Sequence, residues 1–139
     1  MPSRNTQLTI LLLDSDLGFM LALSHALSER HISAFPAASV EEGERLVSQF
    51  QLRLDGAVIN CGWPGACEFS EAVKQQNPGA QIVGMATERH RCRQCASLLA
   101  ATFQDPEDRD PERIGHCADT IQTLLKGSRR RAHRAGNNR

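Results

Sequence analysis

The residues of this sequence that are best suited to chemistry are a histidine and four cysteines. His90 precedes the CxxC pair Cys92 and Cys95, and Cys61 and Cys67 lie earlier in the chain with five residues between them. Thiolate sulfur and imidazole nitrogen are the ligands that Zn²⁺ prefers in tetrahedral sites. One hypothesis is therefore a zinc site built from these five residues, although the spacing between the first two cysteines is wider than in ordinary zinc knuckles.

The cysteines allow two other interpretations. Arg91 and Arg93 lie beside the CxxC pair and would lower the pKa of its thiols, which favours a redox pair. Cys61, Cys95 and Cys117 would also suit a hydrophobic core, because free cysteine is among the most buried residue types. Five cysteines without an N-terminal secretion signal do not indicate a disulfide framework. We favour the core interpretation, which needs no metal or other cofactor, and keep zinc and redox chemistry as alternatives.

Two hydrophobic periods alternate along the chain and indicate the elements that must position these residues. Short, continuous apolar runs predict buried strands at 8–13, 32–35, 54–59, 82–86 and 99–103. Amphipathic segments between them predict helices that begin after Asp16, after Ser39, near Phe69, at Glu88 and at Pro111. The last of these helices is predicted to end at Gly127. Five strand–helix pairs in strict alternation predict an α/β fold, a doubly wound five-stranded parallel sheet with helices on both faces.

In such a sheet the carboxyl ends of the strands form one edge, where functional sites are usually found. This edge would bring together residues 14–16, 60–65, 87–93 and 102–105, which include carboxylates, an amide, hydroxyls and thiols. The spacing indicates no Ser-His-Asp or Cys-His arrangement for nucleophilic catalysis. We therefore do not expect an enzyme.

These polar residues give the chain a resemblance to a known family. An acid-containing turn, Asp14-Ser15-Asp16, follows the first strand; Asn60 ends the third strand, with Pro64 four residues further on; and Thr87 ends the fourth. Over residues 7–127 the chain resembles the receiver domain of two-component response regulators. The resemblance implies a flavodoxin-like sheet with the strand order 2-1-3-4-5.

The resemblance also implies a phosphorylation site, and this chain departs from its pattern. Receivers transfer a phosphoryl group from a histidine kinase to an aspartate at the end of strand 3, using Mg²⁺ held by acids, a hydroxyl and a lysine. Asn60 takes the place of that aspartate, and a carboxamide cannot form an acyl phosphate. Ser15 replaces one acid, for which the neighbouring Asp16 could partly substitute, and the lysine position falls near Thr102 or Gln104. The degenerate pocket comprises Asp14, Ser15, Asp16, Asn60, Thr87, Thr102 and Gln104. Magnesium binding is therefore not expected.

The predicted function is that of a pseudo-receiver, which acts through protein contacts without being phosphorylated. Its expected partners are signalling proteins, such as a histidine kinase or another regulator, or a second copy in a homodimer. The resemblance places such contacts on the predicted helix at 88–98, the fifth strand and the last helix. The arginines of that face are Arg89, Arg91, Arg93, Arg109 and Arg113. The alternatives are a metal- or redox-sensing receiver that uses the cysteines, and a receiver that phosphorylates an unconventional residue.

Charge is unevenly distributed along the 139 residues. All sixteen Asp and Glu but only eleven of the sixteen Lys and Arg fall within residues 1–127, so this part carries five excess negative charges. The other five arginines lie in residues 128–139, for which we expect a basic, disordered tail. An acidic body argues against nucleic-acid binding, except weakly through the tail. No apolar run is long enough to cross a membrane, so we expect a cytoplasmic protein.

Overall fold

The computed structural model of the protein describes residues 7–14, 16–60, 64–86, 99–104 and 110–137. The strands are β1 (Leu8–Leu13), β2 (Ile32–Ala37), β3 (Gly56–Asn60), β4 (Gln81–Ala86) and β5 (Leu99–Gln104). The described helices are α1 (Leu17–Ser28), α2 (Val40–Gln49), α3 (Ala66–Gln76) and α4 (Pro111–Asn137). The helix predicted at 88–98 lies outside the described residues.

The five strands form one parallel sheet in the order β2-β1-β3-β4-β5. This confirms the predicted doubly wound sheet, including its strand order. β1 and β3 are neighbours, with Leu13 opposite Ile59, so their carboxyl ends lie at the same edge. The residues that follow these two strands are therefore brought close together.

Both faces of the sheet are covered, and β1 contributes to the core on each side. Ile10 and Leu12 pack in one buried cluster with apolar residues of α1 and α4. Leu11 and Leu13 pack in a second cluster, mainly with residues of α2, α3 and β3. Burying a side chain of this size contributes about 1.5–3 kcal/mol relative to exposure. Burial on both faces explains why β1 is continuously apolar instead of alternating.

The predicted starts of α1 and α2 are confirmed by their capping hydrogen bonds. Asp16 is the N-cap of α1, where its Oδ1 accepts a hydrogen bond from the Phe19 N–H at 3.1 Å. Ser39 is the N-cap of α2, and its Oγ accepts from the Glu42 N–H at 3.1 Å. Glu42 Oε2 in turn accepts from the Ala38 N–H at 3.3 Å. These bonds satisfy amides that have no partner within a helix.

The last helix does not end at Gly127 as predicted. A glycine that ends a helix usually adopts a positive φ, and among the described residues only Gly65 is a glycine with a positive φ. A glycine inside a helix costs about 1 kcal/mol relative to alanine. Arginine and alanine, which dominate the following residues, are good helix formers. The prediction of a disordered tail at 128–139 is therefore corrected, because α4 continues to Asn137.

Candidate functional site

The candidate site lies where β1 and β3 end. Asp14 directly follows β1, and Asn60 is the last residue of β3. Asn60 Nδ2 donates a hydrogen bond to Asp14 Oδ1 at 3.4 Å. The Asp14 side chain is only 4% exposed, so this contact occurs in a largely water-free environment. The structure therefore brings together two of the predicted pocket residues and shows their orientation.

The amide of Asn60 faces Asp14 with its donor group. A carboxylate only accepts hydrogen bonds when it is ionised, so the group opposite Asp14 must supply a proton or a positive charge. The Asn60 NH₂ supplies N–H bonds, and the Asp16 backbone N–H also donates to Asp14 Oδ1, at 3.3 Å. An aspartate at position 60 would instead place two acceptors against each other. The observed contact is therefore one between an amide donor and a carboxylate acceptor.

Asp16 has a structural role that the sequence indicated. Its Oδ1 caps α1 through the Phe19 N–H. The sequence also raised Asp16 as a partial replacement for the acid lost at Ser15. Because one carboxylate oxygen is directed to the helix, Asp16 is oriented by α1.

Cys67 lies near this edge, in the first turn of α3, and it is buried. α3 follows Gly65, which adopts φ +84°, a conformation that favours glycine. Cys67 is disulfide-bonded, and its partner lies outside the described residues. A disulfide sulfur has no thiolate to offer a metal, so Cys67 in this structure is not available to the alternative zinc site. The cysteine pattern did not indicate a disulfide framework, and the disulfide at Cys67 was not expected.

The other predicted residues lie on β5, on α4 or outside the described ranges. Thr102 and Gln104 lie on β5, where Thr102 pairs with Gly84 and Gln104 with Ala86 of β4. Arg113 is exposed in the first turns of α4. The remaining predicted residues are outside the described ranges: Ser15, Thr87, Cys61, His90, Cys92, Cys95, Arg89, Arg91, Arg93 and Arg109. Among the described residues no group of three or more His, Cys, Asp or Glu could hold a metal ion.

Sequence reasoning missed an apolar surface beside the candidate site. Leu17 and Leu21 are separated by one helical turn on α1 and are 61% and 57% exposed. The opposite side of α1 is buried through Phe19, Leu23 and Leu27. This surface could have been predicted from the sequence, because Leu17 and Leu21 are one helical turn apart and lie outside the apolar stripe that α1 buries. Together the two leucines form a short apolar strip on the exposed side of α1.

In the part of the chain that the structure describes, no helix combines the length and the apolar character needed to cross a bilayer.

Comparison with known proteins identifies the fold. No family model matches the chain, and no curated protein does. Among solved structures, the receiver domain of AraT from Geobacillus stearothermophilus has a TM-score of 0.72 at 13% identity, covering 89% of this chain and 99% of that one. The chemotaxis response regulator CheY4 of Vibrio cholerae has a TM-score of 0.66 at 20% identity, covering 86% and 99%.

A third structure, a response regulator receiver domain protein from Clostridium thermocellum, has a TM-score of 0.66 at 12% identity and covers 91% of this chain and 97% of that chain. At these identities the likeness concerns the backbone. The chain therefore has the flavodoxin-like fold of response regulator receiver domains, over nearly the whole length of such a domain.

Proposed function

We propose that this protein is a pseudo-receiver of two-component signalling, which binds partner proteins without being phosphorylated. The observation that carries the proposal is the contact between Asn60 and Asp14 at the carboxyl ends of β1 and β3. In receiver domains the residue at the end of strand 3 is the aspartate that accepts the phosphoryl group. Here the same place holds an amide whose N–H bonds point at the neighbouring carboxylate.

Chemistry at this position follows from the two functional groups. Forming an acyl phosphate requires a carboxylate oxygen as the nucleophile, and a divalent cation neutralises the phosphoryl oxygens during the transfer. Asn60 has no anionic oxygen, and its NH₂ occupies the side of Asp14 Oδ1 that faces β3. The amide thus stabilises the Asp14 carboxylate in a way that does not require Mg²⁺. At position 60 the pocket therefore has a neutral amide, where a receiver has the aspartate that is phosphorylated.

Contact with other proteins is supported by α1. Leu17 and Leu21 present an apolar strip directly after the Asp16 cap, adjacent to the edge that holds Asp14. A strip of two leucines one turn apart matches the way an amphipathic helix of a partner packs. The partners proposed are a histidine kinase or another regulator in the cytoplasm. Arg113, on the other predicted contact face, is also exposed.

The phosphorylation part of the proposal is tested with acetyl phosphate. The protein is incubated with acetyl phosphate and Mg²⁺ and its intact mass is measured, with an aspartate-bearing receiver domain treated in parallel as the positive control. We expect no added phosphoryl mass on this protein while the control is labelled. A stoichiometric phosphoryl adduct on this protein that hydroxylamine removes would overturn the proposal.

The contact part is tested with the histidine kinases and regulators of the source organism, purified and immobilised one by one. We expect at least one to bind saturably, and Leu17→Glu with Leu21→Glu to weaken that binding at least tenfold. The control is Gln49→Glu with Gln75→Glu, two exposed changes on α2 and α3, which add the same two negative charges elsewhere and should leave binding unchanged. Absence of binding across the set, or equal effects of the two variants, would refute this surface as the contact.

A redox-sensing receiver is the second candidate, because the structure contains a disulfide at Cys67. This bond lies at the start of α3, only a few residues after Asn60, so reduction would alter the covalent constraints next to the candidate site. Peptide mapping of the alkylated protein, with and without a phosphine reductant, tests it. We expect Cys67 to be alkylated only after reduction. Elemental analysis of the same sample for zinc tests the metal-sensing alternative.

A further inference from the structure

A cavity of about 650 Å³ opens between α2 and α3, on the opposite edge of the sheet from Asp14 and Asn60. Its wall includes Leu52 and Leu54, which precede β3, and Asn77, which follows α3 and precedes β4. These residues lie at the amino ends of the strands, whereas the candidate site lies at the carboxyl ends. We call this cavity the α2–α3 groove. It is independent of the proposed receiver function.

The floor of the groove is apolar and is part of the hydrophobic core. Leu54, Phe69 and Val73 are buried members of the cluster between the sheet and the helices α2 and α3. Val47 and Leu52 pack against that cluster from the side and are only half-buried. The groove therefore exposes to solvent the edge of a core that elsewhere is closed. An apolar ligand would bury this surface, at about 25 cal/mol for each Å² removed from water.

One wall of the groove is held in place by hydrogen bonds. Asn77 Nδ2 donates to the Leu54 carbonyl at 2.7 Å, and Asn77 Oδ1 accepts from the Gly79 N–H at 3.2 Å. At the other wall, the segment that follows α2 is held to the helix, because the Leu52 N–H donates to the Val47 carbonyl at 3.0 Å. The Asn77 side chain thus holds one wall and a backbone hydrogen bond holds the other, so the groove is formed before any ligand arrives.

The rim of the groove is polar, and its side chains are available. Ser48, Gln51, Arg53 and Gln76 are exposed, and within the described ranges none of these side chains hydrogen-bonds or forms an ion pair with another residue. Gln51 adopts φ +49°, a conformation that costs about 1 kcal/mol for a residue other than glycine. After α2 the chain therefore has Gln51, whose side chain can form hydrogen bonds, at a position where glycine would be less strained.

The rim of the groove carries two charged side chains, one of each sign. Arg53 is the one cation that lines the groove, and Glu44 is the one anion among these lining residues, all of which the structure describes. Arginine presents a planar set of N–H donors that suits carboxylate and sulfonate oxygens. Small-molecule sites generally combine an apolar floor with a few polar groups in a volume of roughly 300–1,000 Å³.

We propose that the α2–α3 groove binds a small amphipathic acid, with its apolar body on Leu54, Phe69 and Val73 and its anionic group on Arg53. Gln51 and Gln76 hydrogen-bond the polar part of the ligand. The chemical class is an aromatic or similarly compact apolar acid, because the cavity is too small for a folded partner and its only cation is a single guanidinium.

The test uses two fluorescent probes of nearly the same shape. 8-Anilinonaphthalene-1-sulfonate carries an anion, and N-phenyl-1-naphthylamine is its neutral counterpart. We expect the sulfonate to bind with one-to-one stoichiometry and Arg53→Gln to weaken its binding about tenfold, as expected for the loss of one charge-assisted hydrogen bond. The same substitution should change the affinity for the neutral probe less than twofold. Arg45→Gln, an exposed change on α2 outside the groove, is the matched control.

A second variant tests the location. Ala72 is exposed and lines the groove, so Ala72→Trp fills the cavity without disturbing a buried side chain. We expect it to abolish binding of both probes while the far-UV circular dichroism and the melting temperature remain those of the wild type. Equal losses in the Arg53 and Arg45 variants, undiminished binding to Ala72→Trp, or no saturable binding to the wild type would each overturn the proposal.

Discussion

Two aspartates at opposite ends of the β1–β3 pair have different partners. Asp55 precedes β3 at the amino edge, where its Oδ2 accepts from the Thr9 N–H at 2.9 Å. Its own N–H donates to the Thr9 carbonyl at 2.8 Å, and its carbonyl accepts from the Gln81 N–H at 3.0 Å. Asp14 follows β1 at the carboxyl edge, and there it meets the side chain of Asn60.

Because the partners differ, substitutions at the two edges of the sheet should have different effects. The partners of Asp55 named here are backbone groups of β1 and β4, which are present whatever the side chains of those strands are. One partner of Asp14, the Asn60 amide, is a side chain, which a single substitution changes from a donor to an acceptor. We therefore expect substitutions at the amino edge to change stability alone. Substitutions at the carboxyl edge should change both stability and the response to a divalent cation.

The largest expected effect is at the amino edge, at Gly56. A Cβ on this residue would lie 2.7 Å from the Gln81 carbonyl oxygen and 2.9 Å from Leu125 Cδ2. Because the first contact is with backbone, Gly56→Ala should lower the free energy of unfolding by about 3 kcal/mol in urea titrations. Gly115→Ala is the control, since nothing lies within 4 Å of a Cβ there, and it should stabilise α4. Similar values for both variants would contradict the close approach of β3 and β4.

Asp55→Ala should follow, with a loss of about 2 kcal/mol in the free energy of unfolding. The substitution leaves the Thr9 N–H without its acceptor, and an unsatisfied part-buried donor costs about 1–3 kcal/mol. Asp55→Asn retains an acceptor oxygen and should recover more than half of that loss. If the two variants were equally unstable, the charge of Asp55 rather than its hydrogen bond would be responsible.

Asn60→Asp tests the carboxyl edge directly. It places a second carboxylate at the 3.4 Å contact with Asp14, and repulsion should raise the pKa of the pair in the folded state. Because a raised carboxyl pKa destabilises the folded state above that pKa, the variant should lose about 1.5 kcal/mol at neutral pH and regain it as the pH falls below about 4.

Mg²⁺ should also restore stability to Asn60→Asp, seen as a higher melting temperature, and leave the wild type unchanged. Asp14→Asn combined with Asn60→Asp is the control, since it removes the repulsion and the pair of carboxylates together. A wild-type protein that Mg²⁺ stabilises as much as the variant would contradict the interpretation of Asn60 as a substitute for the cation.

Features that depend on residues close together in the chain could be predicted from the sequence, whereas features that depend on contacts between distant residues could not. Continuous apolar runs and local caps such as Ser39 are short-range signals, and they predicted the strands and two helix starts. The strand order was implied by the resemblance to receiver domains. Gly127 was misinterpreted because a glycine ends a helix only when its backbone adopts positive φ, which the residue type alone does not determine. The α2–α3 groove depends on how two helices sit on one face of the sheet, and the Cys67 disulfide depends on a distance in space. Neither leaves a periodic pattern.

The last comparison is between the two cysteines that the structure describes, and it concerns pH. Burial raises the pKa of the Cys117 thiol to about 12, whereas Cys67 is in a disulfide and does not titrate. In the unfolded chain the Cys117 thiol loses its proton near the ordinary pKa of 9.0, whereas the buried thiol keeps its proton at that pH. Stability is therefore unaffected below pH 9 and falls as the pH rises above it, by about 1.4 kcal/mol at pH 10.

Urea titrations of the wild type and of Cys117→Ala at neutral pH and at about pH 10 measure this contribution. The alanine variant loses some packing at both pH values, so only the difference between the two pH values is compared. That difference should be about 1.4 kcal/mol smaller in the variant than in the wild type. The chain has no tyrosine, so lysines and the other cysteines are the side chains that titrate in the same range, and they are common to both proteins. An identical pH dependence in the two proteins would mean that Cys117 is accessible to water in the folded state.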